Sequence, residues 1–323
     1  MKRNERRRRH EQKVQEVQVE HSEPRQTHSS ESRSIYYRDY KKLLIIPMLM
    51  LIIALVLIGV KLATTGEFIN KGISLKGGTS ITALGDNLDS KLIETQLKSE
   101  YSSIEINVRT LENSGQNVGI FIESDILPED NLTSNAFIES VQKITGIPRD
   151  NLSIETIGQT LGDAFFKQTL VAILIAFIFM GGVVYLYFRT IVPSAAVILA
   201  AFSNIVVTIA VLNIFEIKVG TAGIAALLML IGYSVDTDIV LSTRVLKRKE
   251  GTVYQRVLGA MKTGFTMNIT TLGAVIIALF IAESAVLQEI MLIILIGLLV
   301  DMVNTWIQNA GIIRWYMEKK GDM

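Results

Sequence analysis

The chain has 323 residues, 49% of them hydrophobic, and a net charge of +1, so bulk charge points to no particular partner. It contains no cysteine, and its three histidines (His10, His21 and His28) all lie in the polar N-terminal stretch. That excludes disulfides, thiolate metal centres and Fe–S clusters, and it excludes any cysteine- or histidine-assisted hydrolase in the apolar part; neither a metal nor a cofactor is expected.

Residues 1–42 are charged and poor in apolar side chains, as in Arg6-Arg7-Arg8-Arg9. Such a segment cannot bury enough surface to offset its chain entropy and is expected to be disordered. It is read as an orientation signal, without a nucleic-acid partner. Six apolar runs follow, at 43–60, 169–188, 191–215, 221–241, 265–282 and 286–308. Each has about 18 to 25 residues, enough to cross a bilayer as helix. The first begins too deep for a removed signal peptide and is read as a retained anchor. Lys and Arg gather before the first run, between the second and third (Arg189), between the fourth and fifth (Arg244, Lys247, Arg248, Lys249, Arg256, Lys262) and at the C-terminus. Positive residues stay inside, so both termini are expected in the cytoplasm and residues 61–168 outside the cell membrane.

The 61–168 segment alternates between two periods. Residues 80–84 read as a strand and 88–101 as a helix, with Asp86-Asn87 as its cap. Ile104, Ile106 and Val108, then Val118, Ile120 and Ile122, alternate with polar residues around the break Asn113-Ser114-Gly115, as in a hairpin. Residues 131–145 are helical again and 152–157 a last strand. The order βαββαβ is that of a ferredoxin-like split βαβ unit. The expected fold is therefore an α-helical polytopic membrane protein of six spans with an α+β ferredoxin-like extracytoplasmic domain. Its expected organisation is a cytoplasmic tail (1–42), a first span (43–60), the outer domain (61–168), a five-helix bundle (169–310) and a cytoplasmic tail (311–323).

Polar groups inside these runs are the candidate site. The fourth carries Asp236 and Asp238; a carboxylate near the centre of a span costs about 2.5 to 3.5 kcal/mol and marks function by default. Two apart on a helix, they point about 200° from each other and cannot face one partner. Either they cap the cytoplasmic mouth and pair with Lys247 or Lys262, or a protonatable carboxyl is held among the helices. The fifth run adds Lys262, Thr266, Asn268, Thr270 and Thr271. Asp301, Asn304 and Asn309 form a stripe on the sixth. An intramembrane aspartyl protease with Asp236 and Asp301 as its dyad would need Tyr-Asp and Gly-x-Gly-Asp; Val235-Asp236 and Leu298-Leu299-Val300-Asp301 match neither. Lys76-Gly77-Gly78 reads as a tight turn into the first strand.

The runs Gly72-Ile73-Ser74-Leu75-Lys76-Gly77-Gly78-Thr79, Ile157-Gly158-Gln159-Thr160-Leu161-Gly162 and Ile231-Gly232-Tyr233-Ser234-Val235-Asp236-Thr237-Asp238-Ile239-Val240, followed by Arg244, resemble the SecD/SecF family of protein-export membrane proteins, within the RND-like superfamily. Thr270-Thr271-Leu272 agrees, and the Asp-Thr-Asp order with Gly297, Asp301 and Asn304-Thr305-Trp306 resembles the archaeal SecF branch. The likeness covers about residues 40–320. It implies a non-enzymatic accessory subunit that pairs with SecD beside a SecY-type channel in membrane lipid and draws the translocating polypeptide outward on the proton gradient. The acid the family uses for proton coupling falls at Thr237, which leaves Asp236 or Asp238 to inherit the role, and the family's base falls near Lys262. Ser74 stands where the family has Asp. A half-transporter exporting a lipid or small molecule is the alternative on the same scaffold.

Overall fold

Six helices in the computed structural model are long and apolar enough to cross a membrane, in the same number and order as the apolar runs. The structure describes residues 39–85, 88–113, 115–282 and 284–321. The tail read as disordered and the capping pair Asp86-Asn87 lie outside the described residues. The spans are α1 (Ile45–Thr65), α5 (Gln159–Phe188), α6 (Ile191–Ile214), α7 (Thr221–Lys247), α8 (Val253–Ile281) and a last one built from α9 (Ala285–Val303), a π-turn (Asn304–Asn309) and α10 (Ala310–Lys319). Two helices start well before their apolar runs. Local chemistry fixes the helix end, whereas hydropathy marks only the stretch fit for lipid. α8 begins at a capping box in which Thr252 and Gln255 satisfy each other's backbone N–H groups. α5 begins directly after Gly158.

α6 and α7 are mostly buried, whereas α1 and α5 expose most of their apolar side chains. α7 lies against α9, α8 and α6. The core between them holds Leu212, Leu227, Leu230, Ile293 and Leu298. The approach of α9 to α7 depends on Gly297, where a Cβ would come within 2.1 Å of Leu230. Small residues at such crossings let helices touch when lipid supplies no hydrophobic drive.

Between α1 and α5 lies a four-stranded antiparallel sheet with two helices. Its strands are β1 (Gly78–Leu84), β2 (Ile106–Asn113), β3 (Gln116–Ser124) and β4 (Leu152–Ile157), in spatial order β2-β3-β1-β4. The register pairs Ile81 with both Ile122 and Ile154, and Val108 with Ile122. The period-2 pattern therefore stacks one apolar face. Helices α3 (Ser90–Glu100) and α4 (Asn131–Thr145) cover that face with Ile93, Leu97, Phe137 and Val141. The first of them starts later than the periodicity predicts. Asp89 is its cap and accepts from the N–H groups of Lys91 and Leu92, so Leu88 stays outside the helix.

The other sheet face looks toward the bundle across two small cavities of 110 and 190 Å³, both lined by Phe121 and Glu289. A short helical turn, α2 (Ile73–Lys76), leads from the first span into β1. Gly77 and Gly78 follow at φ of 90° and 142°, backbone that L side chains rarely adopt. A Cβ on Gly78 would sit 2.4 Å from the carbonyl of Ser124. Beside this turn Glu105 accepts from Lys76 at 3.1 Å and pairs with Lys218, in the α6–α7 link, at 3.2 Å. The hydrogen bond from Lys76, and then the charge of Lys218, hold the Glu105 carboxyl below its usual range.

Gly78→Val should therefore destabilise the sheet by about 1–3 kcal/mol or more, because it adds backbone strain to a clash. Lys76→Ala should cost under about 1 kcal/mol, the worth of an exposed ion pair. Thermal melts of the two variants in detergent check the contrast; a near-native melt for Gly78→Val would refute the turn. Because Glu105 is a depressed carboxylate, its contribution is whole above the unfolded value near about 4 and is lost as pH falls through the lower folded value. Amide exchange of residues 70–76 should accelerate in acid, and Glu105→Gln should show the same acceleration at neutral pH.

Candidate functional site

Midway along α7 the chain reads Ser234-Val235-Asp236-Thr237-Asp238. At 100° per residue Ser234, Thr237, Asp238 and Ser242 fall on the face turned into the bundle, and all four are fully buried. Gly232 and Asp236 fall on the opposite face and are exposed. The two acids thus diverge as their spacing requires, and it is Asp238, not Asp236, that lies among the helices.

Asp301 on α9 meets that face. It is fully buried and gathers donors from three helices. Ser234 donates to its Oδ1 through a short hydrogen bond, and Thr237 donates to Oδ2 at 3.2 Å. Asn204 Nδ2 of α6 reaches Oδ1 at 3.3 Å and Thr305 reaches it at 3.4 Å. Asp238 accepts from Asn309 Nδ2 at 2.6 Å. The two carboxyls lie close enough for their charges to interact.

Among the described residues no base forms an ion pair with either acid. Arg244 is spent on the carbonyl of Gly259 and the hydroxyl of Thr263 at 3.2 Å. Several buried polar atoms beside the pair have no partner: Oδ2 of Asp238, Oγ of Ser242, Oγ1 of Thr208 and both side-chain polar atoms of Asn304. Buried polar atoms are normally satisfied, so these stand out against the rest of the bundle. No group of three or more His, Cys, Asp or Glu fit for a metal occurs among the described residues.

Local winding sets the geometry on the last span. From Asn304 to Asn309 the helix opens into a π-turn, a form that recurs at functional sites. Thr305 and Asn309, both in this turn, donate to Asp301 and to Asp238, and Asn304 is fully buried as well. Sequence periodicity carries no sign of a π-turn beyond the density of polar residues in Asn304-Thr305-Trp306-Ile307-Gln308-Asn309. Asn204 went unread for a plainer reason. It stands as a lone amide in the apolar run of α6, and a buried polar residue in a span is the signal that finds it.

The remaining candidates lie elsewhere. Lys262 and Thr266 are exposed on α8, as is Thr270. Tyr233 donates to Asn268 Oδ1 at 2.8 Å and ties α7 to α8. Lys76, Gly77 and Gly78 belong to the joint below the sheet, at the other end of the bundle from the acids.

The family model described as protein export membrane protein SecD/SecF, C-terminal, matches residues 137–319, which hold every residue of the acid cluster. Over 283 residues the chain is 40% identical to the protein-export membrane protein SecF of Pyrococcus furiosus, spanning 87% of this chain and 93% of that protein. It is 39% identical over 286 residues to the SecF of Methanocaldococcus jannaschii, spanning 87% and 96%. In fold it is similar to the crystal structure of SecDF, a translocon-associated membrane protein from Thermus thermophilus, with a TM-score of 0.64 at 20% identity. That likeness covers 86% of this chain but only 38% of the other, so the chain spans about two fifths of its length. This chain belongs to the SecF family of protein-export membrane proteins.

Proposed function

We propose that the protein is a non-enzymatic accessory subunit of the Sec export machinery, in which the Asp238–Asp301 pair takes up and releases a proton to drive movement of the outer domain. The observation that carries this is two fully buried carboxyls with donors but no base around them. Burying an ionised carboxylate without a partner charge costs several kcal/mol, so the neutral pair suits the closed bundle, and losing a proton requires the helices to rearrange. Thr237, at the family's acid position, then donates to the neighbouring acid instead of titrating. One charge moved through 100 mV supplies about 2.3 kcal/mol, enough to repack two helices held by a few hydrogen bonds.

A second face supports pairing with SecD. Asp236 and Gly232 on α7, with Lys262, Thr266 and Thr270 on α8, are exposed within spanning helices. An acid left in lipid near the centre of a span costs about 2.5–3.5 kcal/mol, so spans of a partner are expected to cover Asp236 and the polar residues around it. Beside a SecY-type channel such a pair would act on the translocating polypeptide through the sheet domain, whose βαββαβ order favours a ferredoxin-like reading. The charge pattern favours both termini in the cytoplasm, with residues 61–168 outside and 169–310 as the bundle. An exporter of lipids or small molecules would want a roomy apolar chamber in the outer domain. Two cavities against the sheet hold only 110 and 190 Å³, and a third of 380 Å³ beside β2 is lined by charged and amide side chains such as Lys76, Glu105 and Asn107.

In vesicles with an imposed proton gradient, Asp238→Asn with Asp301→Asn should lower gradient-driven export about tenfold or more, since about 2.3 kcal/mol exceeds the ~1.4 kcal/mol of one factor of ten. Co-purification with the partner should persist. Export at the native rate would refute the coupling role. Asp236→Leu should leave the acid pair intact and instead change how much partner co-purifies in mild detergent; unchanged recovery would remove that face from the interface.

A further inference from the structure

The first turn of α7 is capped from outside its own sequence. Gly220, just before it, has no side chain to offer, and the leading N–H groups of a helix need acceptors. Two other elements supply them. The N–H of Gly220 donates to Oε1 of Glu289, in the second turn of α9, at 2.6 Å. The N–H of Thr221 donates to Oγ of Ser74, in α2, at 2.8 Å. Glycines make room for both side chains. A Cβ on Gly220 would meet the Ser74 hydroxyl at 2.7 Å, and one on Gly223 would meet Glu289 Oε1 at 2.4 Å. A carboxylate there also faces the positive end of the α7 dipole.

Both capping residues lead straight to the sheet. Ser74 stands two residues after Gly72, whose N–H donates to the Val219 carbonyl at 2.9 Å, and shortly before the Gly77-Gly78 turn into β1. Next to Glu289, Gln288 donates from Nε2 to the Glu112 carbonyl of β2 at 3.0 Å. Around these points the joint is loosely filled, with the two small cavities on either side of Glu289. The far ends of the same two helices carry the acids. Asp238 lies about 27 Å along α7 from Gly220, and Asp301 about 18 Å along α9 from Glu289, at 1.5 Å per residue.

We infer that Ser74 and Glu289 form a clamp that fastens the outer ends of α7 and α9 to the sheet domain and carries movement from the acid pair to that domain. The inference rests on the proton-coupled reading above and names the residues that transmit it. They are positioning residues. Their work is to make α7, α9 and the α2 turn move as one piece, since the two acceptors tie the start of α7 to α9 and to the turn that leads into β1.

The test uses the full chain in bilayer vesicles with its co-purifying subunits. The sequence has no cysteine, so Ala136→Cys on α4 and Lys249→Cys after α7, both at exposed sites, give two unique thiols in this chain for nitroxide labels. Spin–spin distances are then compared with and without Asp238→Asn plus Asp301→Asn. In the otherwise native chain the neutral pair should shift the distance distribution. With Ser74→Ala plus Glu289→Ala that shift should be lost, and Ser74→Thr plus Glu289→Gln, which keep both acceptors, should restore it. A shift of native size in the alanine background overturns the clamp while leaving proton coupling intact. No shift in the native background overturns the coupling reading itself. If the double alanine variant does not fold, Ser74→Ala alone decides, with a reduced shift expected and an unchanged one fatal to the clamp.

Discussion

Two buried carboxyls on neighbouring helices, neither paired with a base among the described residues, set the terms for everything around them. Asp301 accepts from Ser234, Thr237, Asn204 and Thr305, which together draw α6, α7 and the last span to one point. Asp238 adds Asn309 at the end of the π-turn. Hydrogen bonds between helices in a membrane are each worth only about 0.6–2 kcal/mol, so the cluster holds the helices together without locking them.

α6 is the buried axis of the bundle, and α7 and α9 pack closely where Gly297 leaves room for the Leu230 side chain. At the outer end hydrogen bonds and one doubled ion pair at Glu105 join the sheet to the bundle, and Ile69 and Leu75, fully buried in the same apolar cluster as Leu212 and Val219, anchor the segment that leads into β1.

The spans were legible because hydropathy over about twenty residues is a strong signal, and so was the sheet, whose period-2 pattern at Ile106, Val108, Ile120 and Ile122 requires one buried face. Helix α4 and strand β4 fall at the residues their patterns predict. Helix ends were less legible. Capping at Thr252 and Asp89 decides them, and capping depends on single side chains that hydropathy does not weigh. The acids were visible as intramembrane carboxyls, but their order of importance was not. Spacing told that Asp236 and Asp238 diverge; only the placement of α9 and α6 told which of them points inward. Asn204 and the π-turn were beyond reach for the same reason, since each matters through a contact nearly a hundred residues or more away or through a winding defect that leaves composition unchanged.

The widened turn at 304–309 has a consequence for how this last helix tolerates change. It holds one more residue than regular winding would, so the segment beyond it is rotated relative to the segment before it by about 100°. Ile313 and Met317, both buried, owe their inward bearing to that extra residue. Closing that turn to regular winding with every residue kept would swing the C-terminal stretch by about 100°, whereas loss of a single residue between Asp301 and Asn309 would even the winding and leave Ile313 and Met317 on their seats. That stretch therefore tolerates a deletion better than a change that forces it into regular helix.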